Sequence, residues 1–224
     1  MPLLRQQPGV GEFKMTKEQI LLWLQRFATK IEQNKEYLMQ LDAAIGDADH
    51  GINMERGCKK LLSNLPSLGY RDKDIGTILK NVSMILISHV GGASGPLYGT
   101  FFLRASAVVE GKFDLTEQDM LEMLQAGFAG LVERGKTQLG DKTMVDTLSP
   151  AVIAFQQAVN DGKVMRDAMQ LAVVAAEQGM KDTIPMIAKK GRASYLGERS
   201  IGNQDPGATS CYIMLKCLCD ALQK

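Results

Sequence analysis

The sequence predicts an all-α protein, a single domain built as a bundle of eight helices. Three observations carry this. Apolar residues recur at helical spacing through most of the chain. No stretch alternates apolar and polar residues with the period of two that marks a half-buried strand. The alternation of strand and helix that builds a Rossmann or P-loop domain is missing, and no repeat or interior linker divides the chain.

Each helix has its own signals. Thr16-x-x-Gln19 reads as a capping box, followed by Ile20, Leu21, Leu24, Phe27, Ile31, Leu38 and Leu41 on one stripe. A second helix carries Met54, Cys58, Leu61, Leu62 and Leu65 and is expected to stop at Pro66. Asp74 opens a third, with Ile75, Ile78, Leu79, Val82, Ile85 and Leu86, ended by Gly91-Gly92. A fourth runs from about Pro96 to Glu110. Thr116 caps a fifth, with Leu121, Leu124, Phe128, Leu131 and Val132, stopped by Gly135. A sixth spans about Thr143 to Val159 and stops at Asn160-Asp161-Gly162. A seventh spans about Val164 to Ala188, with a bend or split expected at Pro185. The eighth starts near Pro206-Gly207 and runs to the C-terminus through Tyr212, Leu215, Leu218 and Leu222.

Composition sets the bounds. The chain has 224 residues, 45% hydrophobic and 23% charged, with a formal net charge of +1. A chain of this size buries roughly 70% of its unfolded surface without help from disulfides or metals. Disorder is excluded, and so is a nucleic-acid binder relying on bulk charge. The longest apolar run, about Val82 to Val90, contains Ser83, Ser88 and His89. It falls short of the roughly 20 residues of a membrane span. Cys58, Cys211, Cys217 and Cys219 lack zinc spacing and are expected to be free, buried thiols. Residues 1–15 hold two prolines and two glycines and no continuous apolar stretch. They are expected to be a disordered tail, or an added leader before a natural start at Met15, with the helical domain over 16–224. The default location is cytoplasmic.

Two connections are not ordinary helix linkers. Residues 42–53, Asp-Ala-Ala-Ile-Gly-Asp-Ala-Asp-His-Gly-Ile-Asn, hold three carboxylates and no lysine or arginine. Asp42 sits in the last turn of a helix, where an acid opposes the dipole. Asp47 and Asp49, one residue apart, would point the same way in an extended stretch. Three such carboxylates repel unless a cation joins them, and all-oxygen ligation suits Mg²⁺, Mn²⁺ or Ca²⁺. The competing reading is that one of them caps the second helix, which would account neither for Asp42 nor for all three. His50 stands beside this cluster and is the better functional candidate of the two histidines; His89, on an apolar helix, is expected to be a core or packing residue. The other long connection, Lys189 to Pro206, carries Lys189, Lys190, Arg192 and Arg199. Those charges would counter phosphates or simply be solvated. The turn Gly91-Gly92-Ala93-Ser94-Gly95-Pro96 precedes a helix and would let backbone N–H groups approach an anion, or would only join two helices. In Gly140-Asp141-Lys142-Thr143-Met144, the simplest role is a helix cap by Asp141 or Thr143. No Ser-His-Asp or Cys-His pattern marks a covalent hydrolase.

Four stretches in order, L-D-A-A-I-G-D-A-D-H-G-I-N-M, V-G-G-A-S-G-P-L-Y-G-T-F-F, G-D-K-T-M and G-R-A-S-Y-L-G-E-R-S-I-G-N-Q-D-P-G-A-T-S, resemble the family of dihydroxyacetone kinase L subunits. The same family occurs as the nucleotide-binding domain of single-chain dihydroxyacetone kinases. The resemblance implies a barrel of eight antiparallel amphipathic helices binding ADP or ATP and two Mg²⁺ at one end. By motif, Asp42, Asp47 and Asp49 would be the metal ligands. His50, Gly51, Ile52 and Asn53 would border the phosphates. Ala93 and Ser94 would contact nucleotide, and Gly135, Met144, Arg192, Asp205, Pro206 and Gly207 would complete the pocket. Asn203 is given no role. Three aspartates and ADP bring roughly six negative charges together, and two Mg²⁺ offset about four of them.

A chain of this length has no room for the dihydroxyacetone-binding subunit. The resemblance therefore implies the phosphotransferase-system type. There bound ADP is phosphorylated in place by a phosphohistidine of an M subunit, and the phosphoryl group passes to dihydroxyacetone on a K subunit, with no nucleophile on this chain. An ATP-dependent kinase subunit with exchanging nucleotide, and a regulatory protein engaging a transcription regulator, share the same motifs. A homodimer is also open.

Overall fold

A computed structural model describes residues 14–70 and 72–223. The chain runs through α1 (Lys17–Gln33), α2 (Lys35–Ile45), α3 (His50–Leu68), α4 (Ile75–His89) and α5 (Ser94–Val108). It continues through α6 (Glu117–Gly135), α7 (Met144–Asn160), α8 (Met165–Asp182), a 3-10 segment (Arg192–Ser200) and α9 (Pro206–Ala221). Two short strands, β1 (Met15–Thr16) and β2 (Asp114–Leu115), pair antiparallel with Met15 opposite Leu115.

Nine α-helices among the described residues stand against eight expected, and the difference lies at Asn34. Its backbone leaves helical geometry at φ −102°, ψ 9°, and its side-chain amide donates to the Lys30 carbonyl. This breaks the first predicted helix into α1 and α2. Both pieces pack on α3 and α9, so together they form one kinked stave. The eight staves close a ring. Each packs on the next in sequence order, α1 on α3, then α3 through α9, and α9 returns to α1. The two-residue sheet, which no alternation announced, ties the start of α1 to the approach of α6.

Other boundaries shift for local reasons. α3 runs past Pro66 to Leu68, because a proline in the last turn removes only one hydrogen bond before the helix ends anyway. α5 starts at Ser94, ahead of Pro96, which fits because proline suits a first turn. α8 ends at Asp182 instead of running through Pro185 to Ala188; the residue before a proline resists helical geometry. The capping boxes at Thr16, Thr116 and Thr143 are all formed.

The core fills the inside of the ring. Trp23, Phe27, Tyr98, Phe101, Phe102 and Phe155 are fully buried. Each such side chain contributes about 1.5–3 kcal/mol. Trp23 of α1 lies 5.6 Å from Phe102 of α5, and its indole N–H donates to the Met214 carbonyl of α9 at 3.0 Å. One residue thus joins three staves. The four cysteines are free and buried, and burial pushes the Cys211 thiol up to about 12. No helix is long and apolar enough to cross a membrane among the described residues. The expected tail falls largely on residues 1–13, outside the described ones; Met15 is fully buried and strand-paired.

Consecutive staves run in opposite directions, so every second connection emerges at the same end. The segments 46–49, 90–93, 136–143 and 183–205 therefore share one end of the barrel. Those are the four segments that drew notice in the sequence.

Candidate active site

Asp42 sits in the last turn of α2 and is buried. Its carboxylate reaches across the bend to the start of α3, where Oδ2 accepts the N–H groups of Asp49 (2.8 Å) and His50 (3.1 Å). The capping reading therefore holds, but for the one aspartate it seemed unable to explain. Asp49, at the N-cap position, makes no side-chain cap. Asp42 opposes the dipole of its own helix and complements that of α3. Gly46 makes room, since a β-carbon there would stand 2.1 Å from Asp42 Oδ1.

Asp47 and Asp49 do not converge through an extended stretch. Ala48 between them adopts a left-handed conformation, φ 60°, uncommon for a residue with a side chain. The resulting bend brings one oxygen from each of Asp42, Asp47 and Asp49 within 4.8 Å of the others. The donors are all carboxylate oxygens, a set that fits a hard divalent cation. Such strain persists where the surrounding structure holds it, commonly at functional sites.

His50 opens α3 and joins a buried chain of side chains. One ring nitrogen lies 2.9 Å from Ser210 Oγ and the other 3.2 Å from Ser94 Oγ, and Ser210 Oγ lies 2.7 Å from the Tyr98 hydroxyl. Burial lowers the His50 pKa, with the Asp42 and Asp49 charges opposing that shift. His89 is half-buried, not a core residue, and its Nδ1 donates to the Ile85 carbonyl at 3.0 Å. α5 begins at Ala93-Ser94 with no side chain capping its first turn, so its N-terminus is turned to the cavity uncapped. Asn53 lies beneath the Gly91 turn, its Oδ1 held by Arg56, which also donates to the His89 carbonyl.

The α6–α7 connection is organised by Asp146. This buried carboxylate accepts from Gly140 N (2.6 Å) and Thr143 N (2.7 Å). Thr143 caps α7 as expected, whereas Asp141 accepts from Gln138 N in the loop before it. Lys142 is the residue the sequence reading missed. It is 1% exposed at φ 61°, and its ammonium donates to the carbonyls of Met186 (3.1 Å), Ser200 (2.7 Å) and Asn203 (2.6 Å). It thereby pins three points of the long connection. The motif was visible, but its three acceptors lie 44 to 61 residues away.

Asp205 caps α9 through Ala208 N, with Pro206 in the first turn. Burial pushes its carboxyl up to about 7, against the pull of the Ala208 N–H and Lys142. Arg192 reaches over the opening, with Nε 2.9 Å from Asp47 Oδ2. In the sequence this side chain was left between phosphate partner and solvated charge; here it is paired with a carboxylate of the cluster.

These groups surround one cavity of about 600 Å³. Asp42, Asp47, Asp49, His50, Asn53, Ala93, Ser94, Gly135, Met144, Arg192, Asp205, Pro206 and Gly207 all line it. Gly51 and Ile52 do not. A β-carbon at Gly51 would stand 2.2 Å from the Lys35 carbonyl, so that glycine serves the packing of α3 on α2, and Ile52 is 43% exposed on the outer face. Leu97, Leu131, Thr137 and Lys142 also line the cavity; Leu97 and Lys142 stand inside the quoted motifs without having been given a role, and Leu131 and Thr137 lie outside them.

Fold and site together define a helical barrel with a carboxylate cluster, an uncapped helix start and a basic strap around one end cavity. The DAK2 domain matches residues 44–220, and the chain belongs to that family. It is 48% identical over 204 residues to the ADP-binding subunit of PEP-dependent dihydroxyacetone kinase of Escherichia coli strain K12, covering 91% of this chain and 96% of that one. The ADP-binding subunit of the PTS-dependent dihydroxyacetone kinase of Lactococcus lactis is 40% identical over 208 residues, covering 93% and 99%. The crystal structure of the dihydroxyacetone kinase from C. freundii with AMP-PNP and Mg²⁺ superposes with a TM-score of 0.71 at 23% identity, over 98% of this chain and 37% of that one. It shares the fold.

Proposed function

We propose that this chain is the ADP-binding subunit of a phosphoenolpyruvate-dependent dihydroxyacetone kinase, working in the cytoplasm with a dihydroxyacetone-holding K subunit and a phosphocarrier M subunit. The observation that carries the reading is the meeting of Asp42, Asp47 and Asp49 within 4.8 Å in the cavity that receives the uncapped start of α5. When bound, ADP with two Mg²⁺ would supply a relay for a phosphoryl group between the phosphohistidine of the M subunit and dihydroxyacetone on the K subunit.

This chain's residues supply placement and charge. Asp42, Asp47 and Asp49 are the metal ligands, and α3 holds Asp42 rigid through two backbone N–H groups. The α5 N-terminus offers backbone donors to phosphate oxygens. Arg192 can pass from Asp47 to a phosphate, for which its planar fork is suited. His50, whose pKa burial lowers, holds Ser94 and Ser210 in place rather than acting as a nucleophile. Positioning and electrostatics are what phosphoryl transfer requires of a protein.

The test is nucleotide retention. Freshly purified protein is expected to carry near-stoichiometric ADP, released by a metal chelator and identified after acid precipitation. Returning ADP with Mg²⁺ at 1,000 times its dissociation constant should stabilise the fold by about 4 kcal/mol, a rise in Tm of roughly 10 °C. Protein that purifies without nucleotide and melts identically with and without ADP and Mg²⁺ overturns the reading. Multiple turnovers on added ATP alone, without phosphocarriers, would move it to the ATP-dependent class. Arg192→Lys is expected to weaken ADP binding in the presence of Mg²⁺ about tenfold, since lysine keeps the charge but not the fork. Arg199→Lys, outside the cavity, should leave it unchanged, and equal affinities for the two variants would return Arg192 to a surface role.

A further inference from the structure

Ser94 and Tyr98 lie one turn apart on α5, so their side chains share a face of that helix. His50 of α3 and Ser210 of α9 bridge them. The contacts run from the Tyr98 hydroxyl to Ser210 Oγ (2.7 Å), from Ser210 Oγ to His50 Nε2 (2.9 Å) and from His50 Nδ1 to Ser94 Oγ (3.2 Å). The far end is sealed, since Tyr98 is fully buried with its ring 5.9 Å from that of Phe27. The near end is Ser94, which lines the cavity. Proton accounting gives this chain a direction. A buried hydroxyl without a partner is costly. Burial pushes the Tyr98 hydroxyl well above its usual range, so it keeps its proton, and among the described residues Ser210 Oγ is its partner. Tyr98 therefore donates to Ser210. The Ser210 proton then has two acceptors, His50 Nε2 at 2.9 Å and the Gly207 carbonyl at 3.1 Å. Inside α9 that carbonyl already receives the N–H of Cys211, four residues on, and Nε2 is the nearer. With Nε2 accepting, a neutral His50 carries its proton on Nδ1 and donates to Ser94. The Ser94 hydroxyl is then free to turn its own proton to the cavity, beside the uncapped start of α5.

We infer that Tyr98 is a positioning residue: by donating to Ser210 it holds His50 in the Nδ1–H form, so that Ser94 faces a bound phosphate as a donor. The inference rests on the nucleotide reading above and adds a residue that reaches the ligand only through Ser210, His50 and Ser94. Removing the Tyr98 hydroxyl turns the chain around. Ser210 Oγ is buried and still needs a donor, and Nε2–H is the one that remains. The Ser210 proton then goes to the Gly207 carbonyl, the ring proton moves to Nε2, and Ser94 turns its proton inward to Nδ1. Ser94 would then present lone pairs to an anion.

The test is Tyr98→Phe, which keeps the ring and its packing. The parent carries His89→Gln, so that His50 is the one histidine left in the chain. Nitrogen-15 NMR of the imidazole at about pH 8, where an ordinary histidine is neutral, reads the tautomer. Spectra are taken on protein stripped of nucleotide with chelator and again with ADP and Mg²⁺. The Nδ1–H form is expected in both states of the parent and the Nε2–H form in Tyr98→Phe. ADP affinity in the presence of Mg²⁺ should fall about tenfold with it, the loss of one hydrogen bond to the anion. In a Ser94→Ala background Tyr98→Phe should cost no further affinity, because Ser94 delivers the effect. A parent in the Nε2–H form, an unchanged tautomer in Tyr98→Phe, or an unchanged ADP affinity overturns the inference. So does an equal loss from Tyr98→Phe with and without the Ser94 hydroxyl, which would mark a packing defect. Parent protein that binds no ADP overturns the nucleotide reading itself, a separate failure, since the tautomer of the stripped protein is read without any ligand.

Discussion

Lys142→Met is expected to lower the melting temperature by roughly 10 °C and to open residues 186–203 to proteases. Methionine fills most of the volume but cannot donate to the carbonyls of Met186, Ser200 and Asn203. Hydrogen bonds from a charged donor contribute about 1.5–3 kcal/mol each, not additively, and breaking a buried charged network costs about 3–5 kcal/mol. At 2–4 °C per kcal/mol for a chain of this size, the shift is of the order given. The effect should be local in character. α7, α8 and α9 pack on one another independently of this strap, so helical content should persist while the segment bearing Arg192 comes loose. ADP affinity should fall with it, because Asp205 and Gly207 sit where the strap returns to the barrel. Limited proteolysis followed by mass spectrometry, with thermal melts alongside, checks both parts. A variant that melts as wild type and is cut no faster within 186–203 would show that Lys142 does not fasten the segment.

Asp42→Asn is expected to reduce ADP affinity in the presence of Mg²⁺ by at least about 100-fold, more than Asp47→Asn or Asp49→Asn. Each change removes one negative oxygen donor, but only Asp42 also caps α3. The amide oxygen can still accept those N–H groups, so the fold should lose only about 1 kcal/mol. Asp47 is exposed and already shares its charge with Arg192, which makes its loss the mildest of the three. Calorimetric titration of ADP with and without Mg²⁺ gives the ranking. Unchanged affinity in all three variants would sink the metal assignment.

Much of this was legible in the sequence because the signals were local. Capping boxes, apolar stripes and glycine stops place the helices to within a few residues. The carboxylates, the glycine turn and the basic strap announce themselves by composition within a short window. What stayed hidden depends on distant partners. Asn34 breaks a helix whose apolar stripe continues in phase through Leu38, so periodicity gave no warning. Asp42 reads as misplaced until the bend at Ala48 brings the start of α3 to it. Lys142 looks like an ordinary surface lysine until residues 186, 200 and 203 fold over it. Gly51 shows a demand hidden inside a motif: the Lys35 carbonyl of the adjacent helix leaves no room for a side chain there.

The antiparallel ring has an unequal pair of ends. Connections at the site end carry strained backbone, buried charges and long-range bonds. Those at the other end, among the described residues, take left-handed backbone only at glycines, Gly111 and Gly162. Tolerance to change is thus polarised along the barrel axis. Fluorophores, affinity tags or grafted loops belong at the 161–164 turn, where a full barrel length of packed helix separates them from the cavity. The same polarity lets drift in sequence accumulate at one rim while the other stays bound by its chemistry.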